Sequence, residues 1–296
     1  MCRDMARYGV TFLSRPILTQ SVRAALLAAL AGASLQAPLL HAAPLPPVPL
    51  LTYADFADLA DAAPSVVRAQ VRKVIAVEPA RAVGVAPGFA RIYVEARTVA
   101  LLAGPAQTGG ALRYLADVPL DSKGKIPKLT KRDVLLFAKS VPSRPGELQL
   151  VAPDAQVLWS AEGEARLRGV LRDLLAAGAP GRIGKVHEAI FVPGNLVGEG
   201  ETQMFLETAN REPASITVTH IPPSDRRWTV SFSEVVDSSG APPARETLAW
   251  YRLACFLPRT LDPAANVSST DSDRAQASAD YAWVLNALGP CERTRR

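Results

Sequence analysis

Apolar and polar residues alternate along several short stretches in the first half of the chain. The alternation is clearest over residues 67–77 and 91–98, and shorter apolar runs lie at 112–115, 133–137 and 147–151. This period of two predicts β-strands with one buried face. Turn-forming residues separate the runs, namely Pro87-Gly88, Gly104-Pro105, Gly109-Gly110 and Pro145-Gly146. Five short strands joined by such turns predict a small closed or nearly closed β-barrel.

Apolar residues at helical spacing flank these strands on both sides. Residues 52–63 carry such a stripe, with Thr52 placed to cap the helix and Asp55 in its first turn. Another helix is predicted after Ser160, and its apolar stripe ends before Gly178. The first helix also has an aspartate at every third position, Asp55, Asp58 and Asp61. A solvated helix face explains these three carboxylates better than a metal site does.

The second half of the chain has the pattern of a sheet followed by helices. Strands are predicted over 185–192, 202–207, 214–221 and 227–236, and an antiparallel meander is the simplest way to connect them. Two helices should follow, near 244–257 and 274–288. The predicted fold class is therefore α+β, with a barrel and flanking helices first and a meander with two C-terminal helices second.

The N-terminus has the pattern of a secretory signal peptide. Four arginines precede the apolar run 24–33, and a small residue, Ala42, stands at the expected cleavage point. We expect cleavage after Ala42, so that residues 1–42 are removed and the protein is periplasmic or secreted. The alternative is an N-terminal membrane anchor, for which the stretch 24–40 is marginal because a span needs about 20 predominantly apolar residues.

Cleavage defines the expected organisation of the mature chain. Residues 43–51 are rich in proline and should form a stiff, extended linker. The barrel domain is predicted over 52–178 and the α+β domain over 182–296, with a boundary in the Gly- and Pro-containing segment between them.

Cleavage also changes the net charge. The whole chain has 33 basic and 28 acidic residues, and removal of four arginines and one aspartate leaves 29 and 27, a net charge of +2. A nearly neutral chain lacks the clustered basic surface that nucleic-acid binding requires. No nucleic-acid partner is therefore expected, and a membrane would be contacted only through the signal segment before its removal.

Three segments carry a resemblance to a known class of barrel. A short helix is followed by VVRAQVRKV, then by LLAGPA, and later by KRDVLLFAK. Over residues 53–155 this order resembles the OB-like, netrin-type barrels of exported proteins. The resemblance implies a binding function, since some members bind oligonucleotides or oligosaccharides. Other members inhibit proteases through an N-terminal cysteine at the barrel edge, and the mature chain has no cysteine there.

Two cysteines, Cys255 and Cys291, remain after Cys2 is removed with the signal segment. In an oxidising compartment they are expected to form a disulfide. An antiparallel pair of C-terminal helices would hold them about one helix length apart, so the bond requires parallel alignment through 259–273 or a bend. A C-x-x-C redox motif and closely spaced Cys/His ligands are both absent, and no metal or cofactor site is predicted.

Two common catalytic motifs are absent from the sequence. Neither G-x-S-x-G nor H-E-x-x-H occurs. His187 and His220 are the histidines of the mature chain, and each lies on an apolar face of a predicted strand, His187 together with Ala189 and Phe191. Histidines in such positions are more often hydrogen-bonded core residues than catalysts.

One weak catalytic constellation can still be built from these residues. If their strands were neighbours, His187 and His220 could meet, with Glu188 or Asp225 as the carboxylate. This would suit a hydrolase.

The densest basic segment lies between two predicted strands. It contains Lys123, Lys125, Lys128, Lys131 and Arg132. A solvated loop is the simplest interpretation, and contact with an anionic glycan or lipid headgroup is the functional one. The sequence thus favours a non-catalytic exported binding module of the cell envelope, with an envelope protein or glycan as partner. A hydrolase that uses His187 or His220 with a carboxylate is the alternative.

Overall fold

The protein has an α+β fold made of two antiparallel sheets and four helices, as the sequence predicts. The structure, a computed structural model, describes residues 51–105, 109–223, 226–233 and 240–295. Residues Val48–Arg296 form one compact unit that holds both sheets. Within the described residues, no helix is both long enough and apolar enough to span a lipid bilayer. The predicted signal segment lies outside the described residues.

The first sheet contains all five strands predicted from the alternation, and one more. Its strands are β1 (Ser65–Ala76), β2 (Phe89–Ala103), β3 (Ala111–Pro119), β4 (Asp133–Ser140), β5 (Leu148–Leu150) and β6 (Gln156–Leu158). The order is β3-β2-β1-β4-β5, and β6 pairs with β4. The sheet is not a closed barrel, because its end strands β3 and β5 share one isolated parallel bridge, Arg113 to Glu147, instead of a continuous ladder.

The second sheet is the predicted antiparallel meander. It contains β7 (Ile183–Pro193), β8 (Gly200–Thr208), β9 (Ala214–His220) and β10 (Arg227–Ser231), in the order β10-β9-β8-β7. The last strand is shorter than the predicted 227–236, and residues 234–239 lie outside the described part of the chain.

Four capped helices complete the fold: α1 (Tyr53–Ala62), α2 (Ala161–Leu175), α3 (Leu248–Ala254) and α4 (Asp271–Leu288). The Thr52 hydroxyl accepts from the Asp55 N–H, as predicted, and Asp55 completes a capping box. A second capping box, Thr270 with Asp273, starts α4 three residues before the predicted position. Helix α3 begins at the Thr247 cap and is shorter than the predicted 244–257.

Helix α1 joins the two halves of the fold. Its Phe56 ring lies 6.4 Å from Phe137 of β4, and its Tyr53 ring lies 6.3 Å from Tyr251 of α3. All four side chains are buried. The N-terminal helix therefore packs against a strand of the first half and a helix of the second half.

The aspartates of α1 do not form the solvated face that their spacing predicted. Asp55 is 1 % exposed and accepts hydrogen bonds from the Thr294 N–H and hydroxyl and from the Arg295 N–H. Burial alone would raise the pKa of Asp55, but these hydrogen bonds outweigh it and hold that pKa below its ordinary value. The expectation was wrong because the partners come from the other end of the chain.

The next two aspartates of α1 also bind distant residues. Asp58 accepts from the Tyr251 hydroxyl at 2.7 Å and from Arg293 at 2.6 Å. Asp61 accepts two hydrogen bonds from Arg252, at 2.8 and 2.9 Å. Burial alone would raise the pKa of Asp61, but the hydrogen bonds and positive charges of Arg252 and Arg182 together outweigh it, so this pKa lies below its ordinary value. This face of α1 is thus an interface with the C-terminal segment.

The predicted disulfide is present, with the Cα atoms of Cys255 and Cys291 5.1 Å apart. The two cysteines meet because of the path of the connection between α3 and α4. That connection runs along β7, where the Val267 N–H donates to the Ala189 carbonyl, before α4 returns. The end of α4 then lies beside α3, since the Trp250 indole N–H donates to the Leu288 carbonyl at 2.9 Å.

Candidate functional site

A gap in the first sheet forms a cavity of about 720 Å³ between β3 and β5. At one end of the gap, the Arg113 N–H donates to the Gly146 carbonyl at 2.8 Å. At the other end, the Asp117 N–H donates to the Pro153 carbonyl at 2.7 Å. Leu115 lies between them on the same edge of β3 and forms no bridge to β5.

Two adjoining cavities extend this gap into a longer groove. One, of about 470 Å³, shares Val141, Arg144 and Glu147 with the gap. The other, of about 420 Å³, shares Arg113 with it. We call the combined surface the arginine groove, and its basic residues are Arg72, Arg91, Arg97, Arg113 and Arg144.

Two of these arginines are neutralised by neighbouring carboxylates. Arg91 donates to both carboxylate oxygens of Asp117, at 2.7 and 2.8 Å, and these bonds raise the pKa of Arg91. Arg144 donates to Glu147 at 3.1 Å across a more exposed surface.

The other three arginines have no carboxylate within ion-pair distance among the described residues. Arg72, Arg97 and Arg113 are exposed, and none of them forms an ion pair with a residue in the described ranges. Glu95, which lines the same cavity, lies 4.0 Å from Lys73. A guanidinium presents a planar fork that fits a carboxylate or phosphate through two hydrogen bonds. The groove is therefore suited to an anionic ligand.

An exposed apolar row lies beside the charged part of the groove. The strand register aligns Ile75, Tyr93 and Leu115 across β1, β2 and β3. Ile75 is 43 % exposed and Leu115 is 50 % exposed. Aliphatic and aromatic surface next to unpaired arginines can hold a ligand with both apolar and anionic parts. The alternation identified these strands, but it could not reveal that β3 and β5 stay apart.

The predicted basic loop lies elsewhere on the first sheet and does not line the arginine groove. Its five residues, Lys123, Lys125, Lys128, Lys131 and Arg132, are all exposed between β3 and β4. The Asp121 carboxylate holds the turn by accepting from the N–H groups of Lys123 and Lys125. Lys131 donates its N–H to the Val71 carbonyl at 2.8 Å. Backbone hydrogen bonds thus hold this loop in place, and its five basic residues stay exposed.

The structure does not bring the two histidines together. His187 lies on β7 and His220 on β9, with β8 between them. His220 of β9 pairs with Gly200 of β8. His187 follows Val186, which lies level across the sheet with Ala214 of β9, six residues before His220. This separation is about 20 Å at the rise of a β-strand. Asp225, the other proposed carboxylate, lies outside the described residues.

A β-bulge changes the environment of His187. The pairing of β7 with β8 shifts between Val186 and Glu188, so His187 is the extra residue. Val186 and Ala189 are buried, whereas His187 is exposed. The predicted apolar face shared by His187 and Ala189 is therefore wrong, because the bulge breaks the period of two.

His220 belongs to a buried polar network that the sequence analysis missed. Its Nε2 lies 2.8 Å from a carboxylate oxygen of Asp280 on α4, which is fully buried. Asp280 also accepts hydrogen bonds from Thr202, Arg226 and Gln276. This network fastens α4 to the second sheet, and it leaves no buried side-chain atom unsatisfied within the described residues.

One signal in the sequence could have revealed Asp280. It lies on the buried face of α4, between Ala277 and Val284 and next to Tyr281. A carboxylate within an apolar helix face requires a hydrogen-bonded partner. The sequence alone could not say which of many polar residues supplies that partner.

Comparison with protein-family models gives no match for this chain, and comparison with curated proteins gives no significant match. Among the described residues, no group of three or more His, Cys, Asp and Glu side chains is placed to hold a metal ion. The assignment of function therefore depends on the geometry of the chain itself.

Proposed function

We propose that this protein is a non-catalytic binding module whose arginine groove holds an anionic ligand, such as an acidic glycan or an acidic segment of an envelope protein. The observation that carries the proposal is a set of three arginines, Arg72, Arg97 and Arg113, which form no ion pair with any described residue and lie beside the apolar row and the β3–β5 gap. The combination provides charge for the anion and flat apolar surface for the rest of the ligand.

We further propose that the first sheet is an OB-like barrel left open between β3 and β5. Two features support this. Strand β1 pairs with both β2 and β4, and β3 lies beside β5 in parallel orientation at the Arg113 to Glu147 bridge. The binding of oligosaccharides by some members of that class agrees with a ligand site on this sheet.

The proposed location is the periplasm or the cell exterior, after removal of residues 1–42. The motivation is the N-terminal pattern of arginines, short apolar run and small residues. N-terminal sequencing of the protein isolated from cells should give a start at Ala43. A start at Met1 or Met5 would instead support the N-terminal membrane anchor.

Neutralising the groove should weaken binding of a polyuronate, an acidic polysaccharide that tests the proposed ligand class. We expect the triple variant R72Q/R97Q/R113Q to bind it at least about tenfold more weakly, since charge-assisted hydrogen bonds contribute about 1.5–3 kcal/mol each when fully formed. Binding is measured by titration calorimetry at low ionic strength.

The basic loop supplies a matched control with the same change of charge. The triple variant K123Q/K125Q/K128Q should bind the polyuronate as the unmodified protein does. If the lysine variant alone loses affinity, the ligand binds at the loop and the groove proposal fails. Equal losses in both variants would show unspecific attraction between charges, which also contradicts the proposal.

A hydrolase is the second candidate function, and the pairing of His220 with buried Asp280 is the observation that favours it. A carboxylate that orients a histidine is a common element of general-base catalysis. Screening against ester, glycoside and peptide substrates tests this candidate. Turnover that is abolished by His220→Ala but kept by His187→Ala would support it over the binding function.

A further inference from the structure

The β7–β8 hairpin exposes an unusual amount of apolar surface at its end. Val197 is 99 % exposed and Leu196 is 67 % exposed. Val192 and Ile221, at the ends of the adjoining strands, are also exposed. We call these four residues the apolar tip. Several exposed apolar side chains at one end of a sheet are typical of a surface that another molecule covers.

The apolar tip is held in a defined conformation. The Gly194 N–H donates to the Glu199 carbonyl at 2.9 Å, and the Glu199 N–H donates to the Leu196 carbonyl at 3.0 Å. The Leu196 N–H also donates to the Glu199 carboxylate at 3.2 Å. An ordered loop loses little conformational entropy when it binds, which favours docking.

The charges beside the apolar tip are acidic. Residues 193–201 contain Glu199 and Glu201 and no lysine, arginine or histidine. At the base of the tip, His220 and Arg226 both bond to buried Asp280, so their hydrogen-bonding capacity is directed inward. Both glutamates are half-buried, and Glu201 accepts a hydrogen bond from the Gln203 amide at 2.6 Å. The tip therefore presents aliphatic side chains together with two partly exposed carboxylates.

This chemistry is complementary to the arginine groove. The groove offers apolar surface at half-buried Tyr93 and exposed Leu115, and its Arg97 and Arg113 form no ion pair within the described part of the chain. Aliphatic side chains match the first feature, and the two glutamates match the second. A second copy of the chain therefore has a surface, its apolar tip, that matches the groove.

We infer that the apolar tip of one copy docks in the arginine groove of a second copy. The inference rests on the proposed function, because it uses the same groove and names its partner. The contact is heterologous, since the two copies contribute different surfaces. In a pair of copies, one tip and one groove stay unoccupied. Association therefore continues into chains or closes into a ring. An anionic ligand in the groove competes with this assembly.

Mixing two complementary variants of the mature protein tests the inference. Val197→Asp removes the tip but keeps the groove, and Arg113→Glu removes the groove but keeps the tip. Each variant alone should be monomeric by sedimentation velocity and light scattering. An equimolar mixture should form a 1:1 dimer and nothing larger, because only one working tip and one working groove remain. The unmodified protein should exceed the dimer mass as its concentration rises.

Control variants distinguish a loss of docking from a loss of folding. Leu175→Asp places the same charge on another exposed aliphatic residue, at the end of α2, and should assemble as the unmodified protein does. Arg97→Glu is a second groove variant, expected to behave as Arg113→Glu. The inference is overturned if the unmodified protein stays monomeric up to millimolar concentration, or if the tip and groove variants assemble on their own.

The polyuronate separates this inference from the proposed function. Saturating polyuronate should dissociate assemblies of the unmodified protein. The association constant between copies should be at least tenfold lower than without polyuronate. A monomeric protein that binds polyuronate through its arginines would reject self-docking and keep the proposed function. Assembly that depends on tip and groove, without polyuronate binding, would keep self-docking and reject the anionic polysaccharide as ligand.

Discussion

A double variant with Cys255→Ser and Cys291→Ser is expected to lose about 3–4 kcal/mol of its free energy of unfolding. The disulfide closes a loop with a sequence separation of 36 residues. Its loss frees the unfolded chain to adopt many more conformations, and the loop-closure relation gives the stated size. Urea denaturation followed by tryptophan fluorescence measures the change.

Reducing agent provides the control for this experiment. The unmodified protein should shift to the midpoint of the variant when reduced, and the variant should not shift further. A difference below about 1 kcal/mol between oxidised protein and variant would contradict the expectation.

The disulfide has a second role, because it anchors the segment that covers α1. Cys291 directly precedes the residues that bind Asp58 and Asp55, namely Arg293 and Thr294. Loss of the bond should therefore also expose the C-terminal residues. Faster amide hydrogen exchange over 292–295 in the double variant would report this release, since exchange follows local opening.

Asp280→Ala should be the most destabilising substitution of a single charged residue on α4, with an expected loss of about 3–5 kcal/mol. The carboxylate is fully buried, and its removal leaves Arg226, His220 and Thr202 without their shared acceptor. Desolvated polar groups that lose their partner cost more than the net contribution of the original bonds. The same denaturation experiment measures the loss.

Asp271→Ala is the matched control on the same helix. The Asp271 side chain is 99 % exposed and pairs with Arg274 at the surface. Its loss should cost less than about 1 kcal/mol, because exposed ion pairs and helix-dipole contacts contribute little. Similar losses in the two variants would show that the Asp280 network contributes no more than a surface pair.

The Asp280 variant also separates stability from binding. The arginine groove lies on the first sheet, and Asp280 bonds to residues of the second sheet and α4. At temperatures where Asp280→Ala remains folded, its affinity for the polyuronate should be unchanged. A large change in affinity would place the His220 network in the binding site.

Local sequence features predicted most of the secondary structure. Thr52 and Ser160 cap the helices that the sequence predicts after them. The stretches with alternating apolar and polar residues form strands of both sheets. The period fails where the chain departs from a regular strand, as it does at the His187 bulge. Strand β6 was not predicted, because its three residues are all half-buried and show no alternation between a buried and an exposed face.

The candidate site was far less accessible from the sequence. The basic loop drew attention because its lysines are adjacent in the chain, whereas Arg72, Arg97 and Arg113 lie in separate strands. Strand pairing brings the arginines together, and no spacing within the sequence reports that pairing. The partners of Asp55 and Asp280 were hidden for the same reason, being 239 and 60 residues away.

By itself, the sequence determined the α+β class, the caps, most of the strands and the cysteine pair, because helix and strand periods depend on neighbours a few residues apart. The tertiary structure decided the rest: the open edge between β3 and β5, the groove around it, the burial of the α1 aspartates and the pairing of His220 with Asp280. Each of these depends on which distant segments meet, and that is settled by the packing of the whole core.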